Sequence, residues 1–210
     1  MPVDPALLGA FIIAASALVV TPGPDTVLIV RYALSSGHRV GLAAVIGVQL
    51  GLLVHTALAV AGISMIIASS PVLFKGVALI GAAYLAWLGV QGVRGGGALG
   101  FGGGQDSVSG AKAMRDAALT NLLNPKVILI FLALLPNFVD ATREDVSAQL
   151  LTLAAALIII NVIWQAPIAW LAVTVRHWLS DPAISKRISQ ATGGILLIFA
   201  ALMAYDNLLS

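Results

Sequence analysis

Two charged residues in this chain stand where charge is expensive. Asp25 closes the run Thr21-Pro22-Gly23-Pro24-Asp25, and Lys126 closes Asn124-Pro125-Lys126, each inside a long apolar stretch. A charge at mid-bilayer costs about 2.5–3.5 kcal/mol on insertion scales, which makes it a functional candidate by default. The prolines around Gly23 remove two backbone donors and force non-helical geometry. Asn121 through Lys126 does the same further along. Backbone freed in this way survives in a membrane only against protein or a wet cavity. Asp25 opens the half-helix after its break, where the helix dipole favours a carboxylate; Lys126 holds the equivalent place, where the dipole disfavours a cation. Something negative should therefore lie near Lys126. Two candidates are open. One is Asp25 itself, in a structural ion pair. The other is a substrate anion held by Lys126 and the N–H groups after Asn124, with Asp25 facing the substrate's cation. A carboxylate and an ammonium so placed suit a zwitterion such as an amino acid.

The elements that must position these residues follow from composition. The chain has 210 residues, of which 60% are hydrophobic and 10% charged. Soluble domains are about 25% charged, and a chain this apolar lacks the side chains to cover a wet surface. It reads as an integral membrane protein. Gaps between charges place six helices, at 6–34, 40–68, 72–93, 115–138, 146–175 and 187–207, each near or above the ~20 residues that a span needs. Long unbroken apolar runs disfavour a β-barrel. No basic n-region precedes Arg31, so a cleavable signal peptide is not expected. The absence of cysteine excludes thiolate metal sites and disulfides. A net charge of +2 gives no hint of nucleic acid.

The longest connection, Arg94 to Lys112, carries two triple-glycine runs, Gly95–Gly97 and Gly102–Gly104. It lacks the Gly-Lys-Ser/Thr ending of a phosphate loop and reads as a flexible linker. Residues 1–93 and 113–210 then form two three-helix halves around a linker at 94–112. In each half a proline, a charge and an apolar run recur, and the charge bounding the span lies 14 residues on, at Arg39 and at Asp140. Three spans per half is an odd number, so the halves insert in opposite senses. That is the inverted-repeat plan of many secondary transporters, with broken first and fourth helices.

Further candidates carry bland readings beside the functional ones. Gly47, Gly51 and His55 share one face of the second helix, with Gln49 off it; small residues at that spacing mean close packing. His55 is either a proton relay or a neutral hydrogen-bonding group between helices. Asn161 and Gln165 share a face of the fifth helix and either line a cavity or bond across helices. Tyr84, Trp87, Trp170 and Trp178 read as packing or interfacial anchors, and Ser69-Ser70-Pro71 and Asp181-Pro182 as turns.

At these residues the sequence resembles the LysE/RhtB family of amino-acid exporters. The features are Thr21-Pro22-Gly23-Pro24-Asp25, Asn124-Pro125-Lys126, Gly41, the Gly47-x3-Gly51-x3-His55 ladder, Ala83-Tyr84-Leu85-Ala86-Trp87-Leu88-Gly89 and Gly193-Gly194. The resemblance implies efflux of amino acids or close derivatives from the bacterial cytoplasm, driven by the proton motive force, from an inner-membrane position. Its expected partners are a zwitterionic amino acid, protons and the lipid bilayer, with a homodimer as an open alternative. No cofactor and no metal are expected, since the membrane interior offers a single carboxylate beside a lysine. A passive channel or ion carrier and a structural membrane subunit are the rival readings. An intramembrane hydrolase would need a nucleophile with a base in reach, and Ser16, Ser64 and His55 form no recognisable motif.

Counting basic residues by connection sets the orientation. Arg31, Arg39, Arg94, Lys112, Arg115, Arg176, Lys186 and Arg187 fall on one side, and only Lys75 and Arg143 on the other. Both termini are thus expected away from the cytoplasm. A reporter fused after Ser210 should be active only if it works outside the cytoplasm; one active solely inside would reverse the assignment.

Overall fold

The computed structural model describes residues 2–69, 108–172, 174 and 181–209, together with residues 72, 76, 79, 80, 82, 83, 86, 87, 89, 90, 93 and 94. Among the described residues all regular structure is helical. The expected third helix at 72–93 lies largely outside them. So do the glycine runs of the linker, Tyr84, Trp178 and most of Ser69-Ser70-Pro71.

Helix α1 runs Pro5–Val20. It starts where the Asp4 carboxylate accepts from the amides of Ala6 at 2.8 Å and Leu7 at 3.2 Å, an N-cap in front of a proline whose lost donor costs nothing there. It stops because Pro22 cannot continue the ladder. Helix α2 is Pro24–Ser36 and ends at Gly37, whose φ of 87° suits glycine. Helix α3 is His38–Ser69. Helix α4, Gly110–Leu122, begins earlier than the expected 115, because the Ser109 hydroxyl caps the Lys112 amide at 3.2 Å. Lys112 and Arg115 are therefore helical rather than loop residues. Helix α5, Pro125–Leu129, passes into a π-helical turn at Ile130–Leu134 and a 3-10 turn at Leu135–Phe138. Helix α6 is Val146–Trp170, shorter than the expected 146–175. Helix α7, Pro182–Leu209, starts before the expected 187. Asp181 is the reason. Its carboxylate accepts from the amides of Ala183 and Ile184, so the Asp181-Pro182 pair expected as a turn caps a helix.

His38–Gly62 and Val146–Trp170 are each long and apolar enough to cross a membrane. The pairs α1/α2 and α4 with Lys126–Phe138 pass the same test as bent spans, broken by 53° and 58°. Both breaks fall at the proline motifs. The described residues thus supply two to four spans, of the six expected.

Helix α3 is the axis of the packing, and its small residues decide how close neighbours come. A Cβ at Gly41 would lie 2.6 Å from the Ala33 Cβ, and one at Gly51 2.5 Å from the Asn121 Oδ1. A Cβ at Gly47 would drive into the Met114 backbone carbonyl. The Gly47–Gly51–His55 face therefore seats α4, which is the packing role the spacing suggested. Gly89 makes a similar approach to α7, where a Cβ would meet the Gly193 carbonyl oxygen at 2.9 Å.

At one end of the molecule three connections meet. The Ser36 hydroxyl accepts from the Val108 amide at 2.9 Å. The Tyr32 hydroxyl donates to Asp116 at 2.7 Å, and Asp116 also holds Lys112 and Arg115. His38 lies against Trp170 at 4.4 Å between ring centroids. These connections are among those that the charge count places on a common side.

Gly47 and Gly62 separate backbone crowding from helix propensity. Gly47→Ala should lower the unfolding midpoint in detergent by an amount equivalent to about 1–3 kcal/mol, the usual cost of overpacking. Gly62→Ala, where nothing lies within 4 Å of the added carbon, should be neutral or stabilising.

Candidate functional site

Every carbonyl in a helix ordinarily accepts from the amide four residues on. Proline has none to give. Pro22 therefore frees the carbonyl of Leu18, and Pro125 removes the usual donor to that of Asn121, which accepts from the Asn124 amide at 3.1 Å instead. Both carbonyls also receive an ionisable side chain from elsewhere. Lys126 Nζ donates to the Leu18 carbonyl at 2.7 Å and to the Thr21 carbonyl at 2.8 Å. His55 Nε2 donates to the Asn121 carbonyl at 3.3 Å, with its ring stacked on Phe131 at 5.4 Å.

The negative partner sought for Lys126 is thus the carbonyl end of α1, where the helix dipole is negative. Among the described residues Lys126 makes no ion pair with Asp25. Asp25 is buried, and its Oδ2 accepts from Asn121 Nδ2 at 2.8 Å; the Asn124 side chain also faces it. Among the described residues its Oδ1 is buried with no hydrogen-bond partner, as is Asn121 Oδ1. The two charges therefore stand near each other with separate partners, and neither neutralises the other by contact.

The two half-helices begin differently. Pro24 and Pro125 are each the first residue of their helix. Asn124 caps α5 through its side-chain oxygen on the Lys126 amide at 3.1 Å. Gly23 gives α2 no side-chain cap. The expectation of free amides after Asn124 is corrected here: the uncapped first turn, with donors lacking intrahelical acceptors, is that of α2.

A cavity of about 40 Å3 lies between these elements. Its polar lining is Thr21, Asp25, Thr26, Asn124, Lys126, Asn161 and Gln165, and its apolar lining includes Leu18, Leu52, Val127, Ile130 and Leu157. Gly23 borders it as well. At roughly 10–15 Å3 per water this is room for about three waters, well below an amino acid. Asn161 and Gln165 are buried in α6. Gln49 Nε2 lies within 3.4 Å of Asn161 Oδ1, 3.3 Å of Gln165 Oε1 and 3.2 Å of the Val45 carbonyl. Gln49 is off the glycine face because it turns toward α6.

The structure thus brings Asp25, Asn124 and Lys126 together with Asn161 and Gln165 around one cavity, with Asn121 outside the lining and bonded to Asp25. His55 joins them through the Asn121 carbonyl. Of the two residues whose main chain holds Lys126, Thr21 opens the proline run read from sequence, whereas Leu18 lies outside it. Counting four residues back from Pro22 would have found Leu18. No group of three or more His, Asp or Glu side chains gathers among the described residues.

Broken apolar helices enclosing opposite charges define a membrane transporter rather than a simple bundle. The profile of the LysE type translocators matches residues 16–207, and the chain belongs to that family. It is 35% identical to an uncharacterized membrane protein of Vibrio cholerae, over 93% of this chain and 95% of that one. It is 29% identical to the homoserine/homoserine lactone efflux protein of Salmonella typhi, over 93% and 94%. It is 27% identical to the leucine efflux protein of Enterobacter, over 92% and 93%. No solved structure matches the chain.

Asn121 is the residue whose loss should be felt most widely within the protein. Asn121→Leu strips the donor from a buried carboxylate, and an unsatisfied buried partner costs about 1–3 kcal/mol. Thermal unfolding in detergent should show that loss; an unchanged midpoint would mean the Asp25–Asn121 bond contributes nothing to the fold.

Proposed function

We propose that the protein exports amino acids or close derivatives from the bacterial cytoplasm as a secondary transporter driven by the proton motive force. One observation carries this reading: a carboxylate with an oxygen free among the described residues and an ammonium held there by main-chain carbonyls border the same cavity at two helix breaks. The efflux relatives named above support it. The substrate carboxylate binds Lys126 Nζ, taking the place of the Leu18 and Thr21 carbonyls, beside the uncapped first turn of α2. The substrate ammonium binds Asp25 Oδ1.

A carboxylate brings a full negative charge where each carbonyl brings only a dipole, which lets an incoming zwitterion displace the carbonyl contacts. The cavity is too small for an amino acid, so binding requires α1/α2 and α4/α5 to part. In this reading the chain is two inverted three-helix repeats, 1–93 and 113–210, joined by the 94–112 linker, with both termini outside. Lys126 and Asp25 then sit at the repeat interface, where transporter sites lie. Asp25 takes a proton from outside once substrate has left, and returns it inside when the next substrate arrives.

Counterflow in proteoliposomes with labelled amino acids tests the reading. The wild-type protein should exchange at least one of them, and acid outside substrate-loaded vesicles should speed efflux. Asp25→Asn and Lys126→Ala, each inserted normally, should lose about 100-fold in rate, the scale for removing one member of a buried charge-assisted contact. Exchange at the wild-type rate in either variant would sink the assignment of roles.

A further inference from the structure

We infer that Asn161 and Gln165 form the subsite for the substrate's side chain, positioned by Gln49, and that this subsite selects uncharged amino acids bearing a hydroxyl or carbonyl over their aliphatic isosteres. The inference rests on the amino-acid reading above and deepens it.

The argument is one of donors and acceptors. Three oxygens, those of the Val45 carbonyl, Asn161 and Gln165, converge on the Gln49 amide nitrogen at 3.2, 3.4 and 3.3 Å. That nitrogen has two protons, and the Val45 carbonyl already accepts from the Gln49 main-chain amide within α3, so the two protons serve Asn161 and Gln165. Among the described residues the Gln49 Oε1 is buried without a partner. Among the described residues neither Asn161 Nδ2 nor Gln165 Nε2 donates to a protein acceptor, although both residues are buried and line the cavity. A network serving only to join α3 to α6 would use its donors, because buried polar groups in native folds are nearly always paired. Here the Asn161 and Gln165 donors remain at the wall that Asp25 and Lys126 share.

A substrate hydroxyl, which donates once and accepts twice, would complete this set. An aliphatic side chain of the same size would leave it unpaired in a dry site, the situation that gives strong discrimination between isosteres. Charged side chains fit less well. Among the described residues the lining holds one carboxylate and one ammonium, and the substrate's own ammonium and carboxylate occupy them. A basic or acidic side chain would find no second counter-charge.

Homoserine and norvaline differ only by hydroxyl against methyl and make the test. In proteoliposomes the wild-type protein should favour homoserine in kcat/KM by at least about tenfold, the scale of one well-made hydrogen bond, and lysine should compete poorly. Asn161→Leu, Gln165→Leu and Gln49→Leu should each bring the homoserine-to-norvaline ratio toward one. The ratio is taken within each variant, so the amount of inserted protein cancels. If a leucine variant fails to insert, Asn161→Ala or Gln165→Ala gives the same reading. Transport of neither amino acid by the wild type would overturn the amino-acid reading, and this inference with it. Active transport with a wild-type ratio near one, a ratio unmoved by the substitutions, or lysine competing as well as homoserine would overturn this inference alone.

Discussion

A carbonyl that loses its helical donor inside a bilayer has no water to turn to, and unsatisfied groups there cost several kcal/mol each. Much of this structure follows from meeting that constraint twice. Pro22 frees the Leu18 carbonyl and Lys126 takes it; Pro125 removes the usual donor to the Asn121 carbonyl, and the Asn124 amide and His55 replace it. Each break is closed by a side chain from a different helix. The first repair ties α1 to the start of α5, and the second ties α4 to α3. Neither broken helix is satisfied alone, which is why the breaks converge on a common cavity instead of facing lipid.

The close seating of α4 on α3 makes the second repair reachable. Gly47 and Gly51 remove the side chains that would hold α4 away, and they do so opposite Met114 and Asn121. Asn121 then touches three features at once: its carbonyl meets His55, its amide meets Asp25, and its flank lies over Gly51. The same helix turns Gln49 the other way, toward Asn161 and Gln165. Small residues on one face and an amide on the next thus let α3 organise both walls. At the far end, Phe138 joins Phe11 and Phe199 with centroids 5.3 and 6.2 Å away, closing α1 and α7 over the turn that follows α5.

Much of this was legible in the sequence, and the reasons differ by residue. Proline has local consequences, so the breaks at Pro22–Pro24 and Pro125, with Asp25 and Lys126 beside them, could be read directly. The four-residue spacing of Gly47, Gly51 and His55 likewise fixed a shared packing face. Pairings between residues about 100 positions apart could not be read. Asn121 as the donor to Asp25 spans 96 positions, and no local pattern encodes it. The negative partner of Lys126 is neither side chain nor ligand but main chain at a helix end, which the residue types at 18 and 21 do not record. Serine and aspartate caps start two helices earlier than the charge gaps suggest, at Ser109 and Asp181.

The holding of Lys126 by peptide oxygens has a consequence for how such a protein can change over generations. The acceptors belong to the backbone of residues 18 and 21, and every amino acid supplies them. Leucine or threonine at those places can be exchanged while the lysine keeps its seat. A survey that asks which pairs of side chains drift together would find this ammonium solitary, with no mate to report. Its counterpart is inherited through the shape of the chain, and the proline four residues beyond Leu18 is the only letter that records it.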